Sequence, residues 1–223
     1  MIKSKPFSKW IQVHSDIHLE RFPQRRLFAL APLLILAGDI GVPTKPSYVP
    51  FFKETCPHFD QVIYVLGNHE YEGVWMTKSS DQEKIKYLEE RKFMILDLLS
   101  SIRNLIILDN QKFVYQGKSY YGTTLWTHYS YPQTFAQRWM TKCHWEAKSL
   151  IQPSDTFISH YVSQSSVLRK WEPGLGPFLF PQVAQNYIFG HIHSPIHVKN
   201  SSMQIICNPW GEKDHCSHRL FDV

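Results

Sequence analysis

Seven residues in this 223-residue chain stand where chemistry could be done. Asp16, His18, Asp39, Asn68, His160, His191 and His193 each follow, within a few positions, a short apolar run. All seven offer oxygen or imidazole donors, and none is a thiolate. That mix suits divalent first-row metals such as Mn, Fe, Co, Ni or Zn better than an all-oxygen calcium cage. Seven donors are too many for one catalytic ion that must keep a position open. They suit two ions sharing a bridging carboxylate. Twelve histidines against four cysteines, with no CxxC pair, point the same way.

The runs that must position these donors read as strands. Trp10 to Val13 leads into His14-Ser15-Asp16-Ile17-His18, and Leu33 to Ala37, continuously apolar, leads into Gly38-Asp39. Val62 to Leu66 leads into Gly67-Asn68-His69-Glu70, Thr156 to Ser159 into His160, and Tyr187 to Phe189 into Gly190-His191-Ile192-His193. Ligands gathered at the carboxyl ends of successive strands are how an open α/β sheet builds a site. If extended, His191 and His193 would place both rings on one side. Ser80-Asp81-Gln82-Glu83 has the form of a capping box, after which Ile85, Leu88, Ile95, Leu99 and Ile102 share a helical face. A second helix is expected near 133–150, and Gln116-Gly117 marks a hairpin between Lys112–Tyr115 and Lys118–Tyr121. No repeat, low-complexity tract or linker interrupts the chain, so residues 1–223 read as one α/β domain with mixed sheets.

Composition excludes several classes. With 43% hydrophobic and 19% charged residues, the chain buries a core and is not a disordered segment. The formal charge of +5 is scattered, and no basic groove interleaved with aromatics is present, so nucleic-acid binding is not supported. The longest uncharged run, Leu27 to Gly38, contains Pro32 and falls short of the roughly 20 residues that span a bilayer. No basic amphipathic helix supports a membrane surface, and no secretory leader opens the chain, so a cytoplasmic protein is expected.

The ordered set DIH, GDIG, GNHE, SH and GHIH resembles the calcineurin-like metallophosphoesterases, along nearly the whole chain. Leu108-Asp109-Asn110, Gly122 to Thr127 and Cys207-Asn208-Pro209-Trp210-Gly211 are similar to secondary motifs of a compact bacterial subgroup. The resemblance implies a four-layer α-β-β-α sandwich of two mixed sheets. It assigns Asp16, His18, Asp39 and His193 to one metal, and Asp39, Asn68, His160 and His191 to the other, with Asp39 bridging. His69 is not a ligand in that pattern and faces the substrate. The implied activity is hydrolysis of a small phosphorylated substrate by water activated between two divalent ions. An imidazole with a pKa near 6.5 suits His69 to give the leaving oxygen a proton.

The chain departs from the pattern in places. Protein phosphatases of this superfamily carry an Arg soon after the central Asp and another just before GNHE; here Ile40-Gly41-Val42-Pro43 and Leu66 stand there. Such arginines clamp a dianionic monoester, so a phosphodiester or small phosphorylated metabolite is expected over a phosphoprotein. A cyclic-nucleotide phosphodiesterase or nuclease is the alternative. A non-catalytic binding module would be expected to have lost ligands, and all seven positions are present. Tyr161-Val162-Ser163 replaces a His and Pro common after the His160 position, and Trp210 stands where relatives often have Arg. His128 is a candidate for the site mouth. Trp210 offers a stacking surface to substrate, with packing the favoured reading. His14 reads as strand packing, and Asp214-His215-Cys216-Ser217-His218 as surface.

Overall fold

Five strands form the first sheet: β1 (Trp10–His14), β2 (Leu33–Ala37), β3 (Gln61–Val65), β4 (Leu105–Leu108) and the terminal β11 (Leu220–Asp222). Their order is β11-β1-β2-β3-β4, parallel throughout except for β11. The second sheet contains β5 (Gln111–Tyr115), β6 (Lys118–Thr124), β7 (Thr156–His160), β8 (Asn186–Phe189), β9 (Ile196–Lys199) and β10 (Gln204–Cys207). Here the order is β5-β6-β7-β8-β10-β9, with a parallel centre and antiparallel edges. The structure is a computed structural model, and it describes residues 9–72, 80–124, 146, 149–160, 184–201, 203–211 and 219–223.

Both sheets bury two faces, which is why their central strands read as apolar runs rather than alternating ones. Val13, Ile35, Ile63 and Val65 meet Ile158, Ile188 and Ile206 in the layer between the sheets. On the outer side of the first sheet, Leu34, Leu36, Val62 and Tyr64 pack against helices α1 (Tyr48–Thr55) and α2 (Asp81–Leu99). The outer face of the second sheet carries Tyr121, Phe157, Tyr187 and Phe189, with neighbouring rings 5.1 to 5.9 Å apart. Two mixed sheets in an α/β sandwich are therefore as expected. The helix expected near 133–150 lies almost wholly outside the described residues, as do His128 and residues 212–218.

Local signals explain the elements. Ser80 accepts from the Glu83 amide while the Glu83 carboxylate accepts from the Ser80 amide, so the capping box forms and α2 begins there. Its buried residues include Ile85, Leu88, Ile95 and Leu99, the predicted stripe, and Ile102 packs half-buried just beyond. The hairpin turns at Gln116 and Gly117, both left-handed at φ 50° and 77°, the signature of a type I′ turn. Helix α1 is one of the elements not anticipated, and Pro50 lies inside it. Pro50, however, falls in the first turn, where its missing N–H has no intrahelical partner to lose. Among the described residues, no helix is long and apolar enough to cross a membrane.

Replacing Ser80 by Ala removes one N-cap and nothing from the core. Thermal or urea unfolding should show a loss of about 1 kcal/mol. An unchanged midpoint would mean that α2 does not depend on its cap.

Candidate metal centre

The strands β1, β2, β3 and β7 release their chains at one edge shared by both sheets. The sequence-predicted donors converge there. Asp16, His18, Asp39 and His193 form one group whose donor atoms lie within 4.8 Å of one another, and Asp39, His160 and His191 form another. Asn68 joins the second group through its side-chain oxygen, 3.1 Å from His191 Nδ1. All seven predicted donors are thus brought together, and Asp39 belongs to both sets. His191 and His193 do not share a side of an extended strand, because β8 ends at Phe189. At φ 84° and 48° the two residues turn, and each faces a different group.

Backbone conformation sets this arrangement. Asp16, His18, Asp39, His191 and His193 all have positive φ, between 48° and 84°. Such geometry is strained for side chains of this kind and persists only where the surroundings enforce it. The enforcement is visible. Glu70, fully buried, accepts four backbone N–H groups: Asp39 (3.0 Å) and Gly67 (2.6 Å) on Oε2, Ile40 (2.7 Å) and Gly41 (3.1 Å) on Oε1. One carboxylate therefore closes the loop after β2 onto the loop after β3. Burial and the nearby Asp39 charge push the Glu70 carboxyl above its ordinary range; Tyr64, His160 and the backbone donors pull the other way. Glycine is required beside it. A Cβ on Gly38, itself at φ 80°, would come 2.3 Å from the His160 ring, and one on Gly67 would come 2.3 Å from Asp39 Oδ1.

A second strap comes from the motif at 207–211. The Trp210 and Gly211 amides donate to the carbonyls of Ser15 and Asp16, and the Asn208 side chain donates to Val13. Arg25 donates to the carbonyls of Ile17 (2.7 Å) and Gly211 (2.8 Å), with its guanidinium over Phe22 and Trp210. Trp210 is half-buried against the core on the α2 side, so the structure places it in packing. His14 is fully buried beside the Gln12 side chain, also in packing.

The donors are aimed for a cation. His160 Nδ1 lies 2.6 Å from the Ala37 carbonyl, which can only accept, so Nδ1 carries a proton. Its Nε2 is buried with no hydrogen bond, 3.2 Å from Asp39 Oδ2. Likewise, the Nδ1 of His18 faces Glu20 Oε1 at 3.0 Å, leaving Nε2 to face His193 Nε2 at 3.1 Å. His193 Nε2 is also 3.3 Å from Asp16 Oδ1. Freed of the protons they share, these facing nitrogens and carboxylate oxygens would converge on a cation. Burial disfavours a charged His160, yet Asp39 lifts the ring to about 9. Burial also disfavours the Asp39 carboxylate, but His160 and His69 hold it well below the usual range. By contrast, burial and the His160 charge push His191 down to about 4, leaving it neutral and able to ligate. The residues fit bound metal.

Glu20 was not among the sequence candidates. Its Oε1 lies 3.0 Å from both His18 Nδ1 and His69 Nδ1, and Glu72 lies 3.3 Å from the latter. Burial works against a charged His69, but the Glu20 carboxylate, backed by Asp39 and Glu72, raises it to about 9. The signal that could have found Glu20 is alternation. From Asp16 to Glu20, positions 17 and 19 are apolar and fully buried, whereas 16, 18 and 20 face the site. Glu70 and Arg25 were missed because their partners are backbone groups, which carry no sequence signature.

The chain belongs to the calcineurin-like phosphoesterase family, whose pattern matches residues 11–195. An uncharacterized protein of Acanthamoeba polyphaga mimivirus is 29% identical over 97 residues, 44% of this chain and 32% of that one. The match thus spans about a third of the viral protein's length. Among solved structures, phosphopantetheinyl hydrolase from Mycobacterium tuberculosis aligns over 90% of this chain and 89% of its own, with TM-score 0.62 and 14% identity. That likeness is one of fold.

Glu70→Gln keeps the shape but sets an amide N–H₂ against backbone donors. Denaturant unfolding of metal-free protein should show a loss of about 2–3 kcal/mol. Wild-type stability in this variant would show that the clamp is not what joins the two loops.

Proposed function

We propose that the protein is a dinuclear metal-dependent phosphoesterase acting on phosphodiesters or small phosphorylated metabolites. The observation that supports this most directly is the membership of Asp39 in two donor groups at once. In this reading Asp16, His18, Asp39 and His193 hold one ion, and Asp39, Asn68, His160 and His191 hold the other. The ions, when bound, supply an activated water and neutralise charge on the phosphoryl oxygens.

The chain's own residues do the rest. The Glu20 carboxylate and the Ala37 carbonyl accept hydrogen bonds from Nδ1 of His18 and His160, turning both Nε2 atoms toward the centre. Asn68 caps its own short turn without a side-chain hydrogen bond to it, and its amide oxygen instead faces His191 Nδ1 beside the second donor group. His69 is 18% exposed in its side chain, with Nδ1 3.0 Å from Glu20 Oε1 and Nε2 turned inward, 3.9 Å from Asp39 Oδ2. We assign it the proton for the leaving oxygen. No arginine follows Asp39 or precedes Gly67, which favours a diester over a dianionic monoester. The mycobacterial fold neighbour is a phosphopantetheinyl hydrolase, so phosphopantetheinyl compounds are worth assaying as substrates.

Metal-free protein should regain diesterase activity with Mn or another first-row ion but not with Ca. Asp39→Asn should abolish turnover and lower bound metal by elemental analysis; full metal content with retained turnover would refute the shared-ligand reading. His69→Ala should slow esters of poor leaving groups far more than nitrophenyl esters, by about 10²-fold or more. Equal losses on both would remove the proton-donor role.

A further inference from the structure

The loop after β1 runs past Asp16 and His18 to a third polar residue, Glu20. Its backbone is pinned on both sides. The Leu19 amide donates to the Ile40 carbonyl at 2.9 Å, and the Arg21 amide to the His18 carbonyl at 2.9 Å. The Glu20 side chain is only 9% exposed. Taking a carboxylate out of water is costly unless it is paired, and here it faces two imidazoles. Oε1 lies 3.0 Å from His18 Nδ1 and 3.0 Å from His69 Nδ1. Oε2 is buried and makes no hydrogen bond among the described residues.

The two rings have different tasks. His18 is a metal donor through Nε2, whereas His69 is assigned the proton for the leaving oxygen. They stand edge to face, with centroids 4.5 Å apart and planes at 74°. Glu72, the other carboxylate near His69, lies 3.3 Å from Nδ1 and is 54% exposed in its side chain, where pairing is weak. One oxygen of Glu20 is thus the point at which the loop after β1 meets the short turn after β3.

We infer that Glu20 is a positioning residue of the proposed reaction: one carboxylate oxygen orients the metal donor His18 and the proton donor His69 together, so that the two are coupled through it. The inference rests on the reading of the site given above. An imidazole held at Nδ1 presents its Nε2 in one direction. For His18 that direction is toward His193 Nε2, at 3.1 Å, and for His69 toward Asp39 Oδ2, at 3.9 Å. Because both rings rest on the same oxygen, their Nε2 atoms are also fixed relative to each other. Glu70 joins the loops after β2 and β3, and Glu20 joins those after β1 and β3.

The test uses full-length protein and reads metal binding and catalysis separately. Affinity for Mn is measured by chelator competition on metal-stripped protein. At saturating Mn, kcat/KM is measured for methyl 4-nitrophenyl phosphate and methyl phenyl phosphate, which differ in leaving group. Glu20→Ala should weaken Mn binding about tenfold and raise the nitrophenyl-to-phenyl ratio about tenfold, the scale on which such supporting contacts act. Glu20→Gln, whose amide oxygen can still accept from both rings, should recover most of both effects. In a His69→Ala background, Glu20→Ala should still weaken Mn binding but leave the ratio unmoved, a split that general loosening of the fold would not produce. Because each protein is read as a ratio of two substrates, a partial loss of folded protein cancels. An unmoved ratio or an unmoved Mn affinity in Glu20→Ala overturns the coupling, as does a further rise in the ratio in the His69→Ala background. So does a third ion per chain, counted by elemental analysis, that Glu20→Ala removes, because Glu20 would then ligate. Wild-type protein that cleaves neither ester overturns the phosphoesterase reading, and the role of Glu20 falls with it.

Discussion

A single buried carboxylate holds the centre together. Glu70 comes from the loop after β3, yet three of the four amides it accepts belong to the loop after β2. Without an acceptor, those amides would be buried and unpaired, each at a cost comparable to a lost hydrogen bond. With it, Asp39 is held at φ 54°, a conformation that its side chain would not choose unaided. The other constraints build outward from this one. The His69 amide donates to Asp39 Oδ1, the Thr124 hydroxyl to the Leu66 carbonyl, and the His160 ring to the Ala37 carbonyl. The last two tie the second sheet to the carboxyl ends of β2 and β3.

The strain is concentrated where the donors are. Apart from Asn110 and Gln116, every described non-glycine residue with positive φ is a candidate ligand. Strands deliver the chain to the sheet edge, but a strand alternates side chains across its faces and cannot by itself turn several donors toward one point. Left-handed residues at the strand ends perform that turn. The hydrogen bonds of Glu70, Asn208 and Arg25 then hold the turned backbone in place, so that ligation requires little reorganisation.

Much of this was legible in the chain, and the limit was physical. Leu33–Ala37 appears as the same strand in sequence and structure because burial on both faces leaves an uninterrupted apolar run. The Ser80 box and the Gln116-Gly117 turn were legible because each is a local interaction between residues close in sequence. Helix α1 was hidden by Pro50, because the effect of a proline depends on where in the helix it falls. Strands β9 and β10 pair only with partners in their own sheet and carry short, ambiguous runs. The donors were legible as residue types in a sequence order. Glu70 and Arg25 were not, since a side chain that satisfies distant backbone amides or carbonyls looks like any other charged residue. Trp210, for which packing was the favoured reading, lies half-buried with the Arg25 guanidinium over its ring.

The donors also divide between the two halves of the sandwich. Asp16, His18, Asp39 and Asn68 extend from strands of the first sheet, whereas His160, His191 and His193 extend from the second. Each donor group mixes the two. Along most of their length, the sheets adhere through aliphatic contacts, which resist separation but do not dictate one fixed sliding position. An ion ligated from both sides would act as a rivet at the rim. Its binding energy would then enter the mechanical union of the halves, and its departure would free them to shear before either sheet unravels.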